Sequence, residues 1–130
     1  MQEFSALLEV TMSTNQEFLS SGGVRRLLTD EERTSIATLF DVEESTISHI
    51  SGNIMNRPRA TCTGCGKHSG LDDMVHNAVE AGIHSNAFVL NVLVNGPHAK
   101  SPAHGLKCSR CDSEYEGLWN WREDTHIWAA

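Results

Sequence analysis

The sequence predicts an α+β protein, in which a helical N-terminal region over residues 1–58 precedes a small α/β module over residues 59–130. Three observations support this prediction. A helix-capping motif opens an apolar pattern in the first half, an amphipathic stripe follows in the second half, and two C-x-x-C pairs enclose that stripe. With 39% hydrophobic residues in 130, the chain can form only a modest core, to which a metal cross-link would add stability.

The N-terminal region is expected to consist of helices, with breaks or a loop at Asn15 and residues 20–23. The apolar spacing within residues 4–8 predicts a short opening helix. Thr29 and Glu32 form a capping box, because the threonine hydroxyl can accept from the amide of the third helical residue while the glutamate reaches back. A helix is therefore expected from this point to about residue 40. A further helix is expected from residue 43 or 44 to residue 50.

The C-terminal module is expected to combine one helix with two strands. An apolar stripe at i, i+3, i+4, i+7 and i+8 predicts a helix over residues 71–79, with Gly82 at its end. The short, partly β-branched run 87–94 indicates a buried strand, and the loose alternation at 115–121 indicates a last strand. The two tryptophans of that last strand are expected in the core, and Trp128 is expected at a partner or dimer contact.

The four cysteines form two C-x-x-C pairs, and each pair can supply two thiolate ligands from one tight turn. The pattern predicts one structural Zn²⁺ per chain, bound by Cys62, Cys65, Cys108 and Cys111. Two disulfides or four unrelated thiols are the alternatives, and His68 is an alternative ligand or a hydrogen-bond donor beside the site. The segments ATCTGCGKH and LKCSRCDSEYEG resemble the knuckles of treble-clef and zinc-ribbon proteins. A four-thiolate site is closed to substrate, so its expected role is structural.

Residues 28–50 resemble the helix-turn-helix of bacterial DNA-binding proteins. Ala37 matches the small residue where the two helices cross, Asp41 lies at the turn, and Ile47 and Ile50 match the apolar residues that seat the second helix. The resemblance implies a recognition helix that lies in the DNA major groove. A helical hairpin that serves only for packing is the alternative.

The resemblance assigns four residues of the second helix to the major groove, and two arginines beyond it to phosphates or the minor groove: Glu44, Ser45, Ser48, His49, Arg57 and Arg59. The arginines lie in the only positive stretch, since residues 45–70 hold three bases and no acid (+3). Residues 1–44 hold nine acids and three bases (−6), and residues 71–130 hold eight acids and four bases (−4). The first functional hypothesis is therefore DNA binding in transcriptional regulation, by a dimer because one recognition helix covers few base pairs.

Two other functions remain open. A zinc-stabilised protein-interaction module would bind a protein through its acidic surfaces, in keeping with the net charge of −7. A metal-dependent nuclease is the third hypothesis, because His84, His98 and His104 lie between the cysteine pairs, an arrangement similar to that of His-Asn-His nucleases. A cytoplasmic location is expected, because no apolar run reaches about 18 residues and the N-terminus carries acids where a secretory signal carries bases.

Overall fold

The structure, a computed structural model, describes residues 16–20, 22–95 and 102–122. These ranges form a mixed α+β fold with a three-stranded antiparallel sheet and three α-helices, which confirms the predicted class. The elements, in chain order, are β1 (Gln16–Phe18), β2 (Val24–Leu27), α1 (Asp30–Phe40), a 3-10 turn (Glu44–Ile47), β3 (Gly52–Met55), α2 (Leu71–Ala81) and α3 (Asn86–Asn95). The opening helix predicted at residues 4–8 and the contact predicted for Trp128 lie outside the described residues.

The sheet corrects the expectation of an N-terminal region built from helices and loops. Its strand order is β1-β2-β3, with Val24 opposite Met55 and Arg26 opposite Asn53. Both Val24 and Arg26 face inward, and Arg26 is fully buried. A strand is normally recognised by polar residues that alternate outward. An inward-facing arginine breaks that pattern, which explains why β2 is hard to recognise from the sequence.

Helix α1 confirms the predicted capping box. The Thr29 hydroxyl accepts from the Glu32 amide at 3.1 Å, and a Glu32 carboxylate oxygen accepts from the Thr29 amide at 2.9 Å. The helix ends at Asp41, whose φ of 55° and ψ of 48° are left-handed. An aspartate tolerates this conformation better than most residues with a side chain.

The second helix predicted for residues 43–50 is replaced by a single 3-10 turn, Glu44–Ile47. The Arg33 guanidinium, on α1, donates to the carbonyls of Ile47 and Ile50 at 3.0 and 3.2 Å, and so satisfies the carbonyl groups at the end of the turn. Strand β3 then begins at Gly52. Only four residues, 48–51, separate the turn from this strand.

Helix α2 confirms the predicted amphipathic stripe and ends at Gly82, which is left-handed at φ 67°. Helix α3 corrects the strand predicted at residues 87–94. The Ser85 hydroxyl accepts from the Phe88 amide at 3.1 Å, as an N-cap does. Only Val89 and Leu93, four residues apart on one helical face, are buried. A short apolar run does not distinguish a helix from a strand, but the serine before it was a usable signal.

The strand predicted at residues 115–121 is also corrected, because this segment pairs only through isolated bridges. Trp119 pairs with His104, and Trp121 pairs with Met55 beside the end of β3. Gly117, two residues before Trp119, has a left-handed φ of 90°, which is not a strand conformation. The prediction that Trp119 is in the core is confirmed, since it is fully buried, and Trp121 is half-buried.

Two apolar clusters share the interior. One joins α1, the 3-10 turn, α2 and α3, through residues such as Ile36, Ile47 and Leu71. The other surrounds the cysteines and contains Tyr115 and Trp119. Met74, on α2, packs against both clusters. Apolar packing therefore continues across residue 58, where the sequence suggested a boundary.

Candidate metal centre

Two backbone knuckles of the same geometry bring the cysteines together. In the first, the Cys62 amide donates to the Lys67 carbonyl at 2.7 Å; in the second, the Cys108 amide donates to the Ser113 carbonyl at 2.8 Å. The residue after the second cysteine is left-handed in both, with φ 81° at Gly66 and 71° at Asp112. The two pairs therefore form equivalent turns, although only the first has glycine at this position.

The four sulfurs converge to within the span of a single metal site. All lie within 4.8 Å of one another, and none forms a disulfide. The Cys62 and Cys111 sulfurs are 3.4 Å apart, and the Cys65 and Cys108 sulfurs are 3.6 Å apart. Four thiolates at about 2.3 Å from one ion would be about 3.8 Å apart. The cluster can therefore hold a metal ion.

Backbone amides orient two of the sulfurs. The Gly64 amide donates to Cys62 Sγ and the Arg110 amide donates to Cys108 Sγ, both at 3.3 Å. Each donor lies two residues after the first cysteine of its knuckle. Such bonds to a ligand fix its orientation and stabilise negative charge on sulfur.

The pKa values of two of the thiols shift in opposite directions. A hydrogen bond from the Ser113 hydroxyl lowers the pKa of Cys111 to about 6. The Lys67 amide lowers the pKa of Cys65, but burial and hydrogen bonds with the other sulfurs outweigh it and raise that pKa to about 11. Neighbouring thiolates repel one another, and a divalent cation removes this repulsion.

Gly64 is packed tightly against the second knuckle. A Cβ at this position would lie 3.0 Å from Cys111 Sγ and 3.2 Å from Ser113 Cβ, and would clash with the Ser113 hydroxyl. Glycine is needed here to let the two knuckles approach.

We expect Gly64→Ala to lower metal affinity about 10- to 100-fold, the range typical of residues that support metal ligands. The measurement is a competition titration against a chromogenic chelator. Gly105→Ala is the matched control, because its Cβ would be no closer than 3.8 Å to the nearest atom, Glu114 Oε1. Equal affinities of the two variants would contradict the role given to Gly64.

A buried carboxylate links both knuckles to α2. Asp73 is fully buried, and its Oδ1 accepts from the Ser109 amide of the second knuckle at 2.8 Å. Its Oδ2 accepts from Lys67 Nζ at 2.9 Å, beside the first knuckle, and from the Tyr115 hydroxyl at 3.3 Å. Burial raises the pKa of Tyr115, which keeps its hydroxyl a donor. The sequence analysis missed this residue, although Asp72-Asp73 at a helix start was a visible signal.

A second ion pair lies beneath the sheet. Arg59 Nη2 is 2.8 Å from Glu32 Oε1, and the two side chains are 2% and 4% exposed. The other Glu32 oxygen accepts from the Leu71 amide at 2.6 Å, so this one carboxylate joins α1, α2 and the segment before the first knuckle. Arg26 interacts electrostatically with both members of this ion pair. Burial lowers the pKa of Arg26 to about 10, which leaves it charged at neutral pH.

The six residues predicted to contact DNA do not form one surface. Three of them, Glu44, Ser45 and Ser48, are exposed on the 3-10 turn. The His49 ring lies 3.0 Å from the Val94 carbonyl, and Arg59 is committed to its buried pair with Glu32. A buried, paired guanidinium is poorly placed to reach phosphates, and the DNA contacts of these six residues stay a prediction.

Arg57 is half-buried and differs from Arg59 in its contacts. Its guanidinium carbon lies 4.9 Å from the centre of the Trp119 ring, a cation–π contact. It also lies against Gly117, where any side chain would overlap it. Arg57 therefore helps to cover the apolar cluster that contains Tyr115 and Trp119.

The histidines considered as ligands or catalysts are dispersed. His68 pairs with Thr61 at 3.3 Å, His84 stacks on Phe88, and the His104 ring lies 2.7 Å from the Gly105 carbonyl. His98 lies outside the described residues. Within the described ranges, only the four cysteines form a group of three or more ligands that could hold a metal ion. The nuclease hypothesis stays a prediction.

Comparisons with known proteins gave one match. A family model described as "Domain of unknown function (DUF8243)" matches residues 4–129. No curated protein and no solved structure matches the chain. In the described part of the chain, no helix combines the length and hydropathy needed to cross a bilayer.

Proposed function

The chain belongs to the DUF8243 family, and from the geometry of the chain itself we propose that it is a zinc-stabilised protein-interaction module. The observation that carries this proposal is the convergence of four cysteine sulfurs within 4.8 Å. A tetrahedral set of four sulfurs suits zinc or iron, and zinc needs no redox partner. The four thiolates would complete the coordination of the ion and leave no position for substrate, so the ion would cross-link the fold.

The charges at the surface support a protein partner with a basic segment. Asp41, Glu43 and Glu44 are all exposed at and before the 3-10 turn. These acids occupy the surface that the helix-turn-helix resemblance assigned to DNA, and their charge repels phosphates. The positive charge of Arg59 would have offset these acids, but its side chain is only 2% exposed. A lysine- or arginine-rich peptide would complement this acidic surface.

The test compares two labelled probes by fluorescence anisotropy at low salt: a DNA duplex of mixed sequence and a lysine-rich peptide. We expect peptide binding that the double substitution Glu43→Gln and Glu44→Gln weakens about two- to 30-fold, because each of the two exposed charge pairs contributes about 0.2–1 kcal/mol. Glu114→Gln with Glu116→Gln is the matched control, since these two acids are also exposed but lie elsewhere.

DNA binding, the first function predicted from the sequence, is an outcome of the same test. Affinity for the duplex that falls steeply with salt would favour DNA binding over the protein-interaction proposal. Peptide affinity that is equal in the double variant and its control would contradict the role of the acidic surface.

A further inference from the structure

Helix α3 is attached to the rest of the protein along a narrow stripe. Only Val89 and Leu93 on this helix are buried, and they pack in the cluster that contains α2. On its other side, Phe88 is 50% exposed, and Ile83, just before the helix, is 79% exposed. The His84 ring stacks on Phe88 with centroids 4.4 Å apart. An apolar and aromatic surface is therefore left open to solvent.

This surface has no formal charge. Residues 81–99, a run of nineteen, contain no Asp, Glu, Lys or Arg, although the whole chain has 27 such residues (17 acidic and 10 basic). The three exposed polar residues of α3 are all asparagines: Asn86, Asn91 and Asn95. Depletion of charge together with exposed aromatic residues is typical of the centre of a protein interface.

We propose that Ile83, His84, Ala87, Phe88 and Asn91, here termed the α3 face, bind the same face of a second copy of the chain about a two-fold axis. In a two-fold interface each patch meets itself, so a charged residue near the axis meets its own like charge. A partner of different sequence imposes no such condition and can pair opposite charges. The absence of charge from this run therefore favours a second copy over a different protein.

The asparagines are also compatible with a two-fold interface, in which each residue near the axis meets its own copy. An asparagine amide has both donors and an acceptor, so it can hydrogen-bond to the identical residue of a symmetry mate. Lysine or glutamate cannot do this. Ala87, small and exposed, allows two α3 helices to approach closely. The charge of −7 on each chain opposes association elsewhere on the surface, which directs contact to the uncharged face.

The expected dimer is small. A ten-residue helix is about 15 Å long, so this contact belongs to the size class of weak, exchanging interfaces. We expect monomer and dimer to exchange at micromolar concentrations. This inference is independent of the proposed partner binding, because it concerns a different surface and needs no second protein.

Sedimentation equilibrium of the full, metal-loaded chain tests the proposal. Phe88→Glu places like charges across the axis, and we expect it to weaken the dimer by about 30-fold or more, as loss of a central aromatic contact does. Phe18→Glu is the matched control, since Phe18 is 69% exposed on β1 and should leave the dimer unchanged. Asn91→Glu gives a second test at an exposed position if Phe88→Glu does not fold.

The proposal is supported if both α3 variants dissociate the dimer and Phe18→Glu does not. A wild-type chain that stays monomeric up to its solubility limit overturns it. A dimer that survives both α3 substitutions, or that Phe18→Glu disrupts instead, also overturns it.

Discussion

Cys108→Ser is expected to abolish stoichiometric metal binding and the fixed structure of the segment between the two knuckles. Cys108 is fully buried and lies in the same apolar cluster as Trp119, so its loss removes a ligand and disturbs the second core. A structural Zn²⁺ contributes about 10–16 kcal/mol of folding free energy in small modules, which is comparable to the whole stability of a domain. The measurements are metal content per chain and thermal unfolding.

Ser109→Ala is the control for this variant. It lies in the same knuckle, retains all four sulfurs, and keeps the backbone amide that donates to Asp73. We expect it to bind one metal ion per chain and to unfold near the wild-type temperature. Cys108→Ser with unchanged unfolding, or wild-type protein that is metal-free and fully folded, would rule out a structural metal. Metal analysis of the wild type also distinguishes zinc from iron.

Arg59→Met is expected to lower the free energy of unfolding by about 3–5 kcal/mol at neutral pH, the usual effect of removing one partner of a buried ion pair. The substitution leaves Glu32, whose side chain is 4% exposed, without its nearest cation. Urea unfolding measures the loss. Arg57→Met is the matched control, because Arg57 is half-buried over Trp119, and we expect it to cost about 1 kcal/mol or less.

The loss in Arg59→Met should depend on pH. Burial raises the pKa of Glu32, but the Arg59 guanidinium and the Thr29 amide more than offset this, so the pKa lies below its usual 4.5. A lowered folded-state pKa stabilises the protein above about pH 4.5, and this contribution is lost as the pH falls. Removal of Arg59 takes away the largest of the contributions that lower the pKa of Glu32, so that pKa rises.

The unfolded state is common to both proteins, so the difference in stability between wild type and Arg59→Met should shrink as the pH falls from the pKa of Glu32 in the variant toward its lowered pKa in the wild type. Asp72, whose pKa burial raises to about 6, titrates in both proteins and should largely cancel in that difference. A difference that stays constant from neutral to acid pH would show that Arg59 stabilises the fold through packing alone.

The elements predicted correctly are those whose signals are local in sequence. Thr29 and Glu32 begin α1 through a reciprocal cap that spans three residues, and the stripe of α2 lies within one helix. The wrong predictions needed information from distant residues. Helix α3 buries only Val89 and Leu93, and that choice of face depends on α2. The turn that replaces the second helix depends on Arg33, which binds its carbonyls from α1.

The two arginines on either side of Pro58 also have roles that depend on residues distant in sequence. From the sequence they are equivalent bases in the only positive stretch, and both were assigned to DNA. In the structure, Arg59 pairs with Glu32, 27 residues earlier, whereas Arg57 covers Trp119, 62 residues later. A charge acquires its role from partners that are remote in sequence, so composition alone does not reveal it.

The sequence by itself determined the four cysteines that could hold a metal ion, because ligand chemistry and C-x-x-C spacing are local properties. It also determined α1 and α2. Only the tertiary structure decided that Asp73 connects the two knuckles, that Arg59 is buried, and that α3 leaves an uncharged face exposed. The physical reason is that these features depend on contacts between segments far apart in sequence, and periodicity describes only one segment at a time.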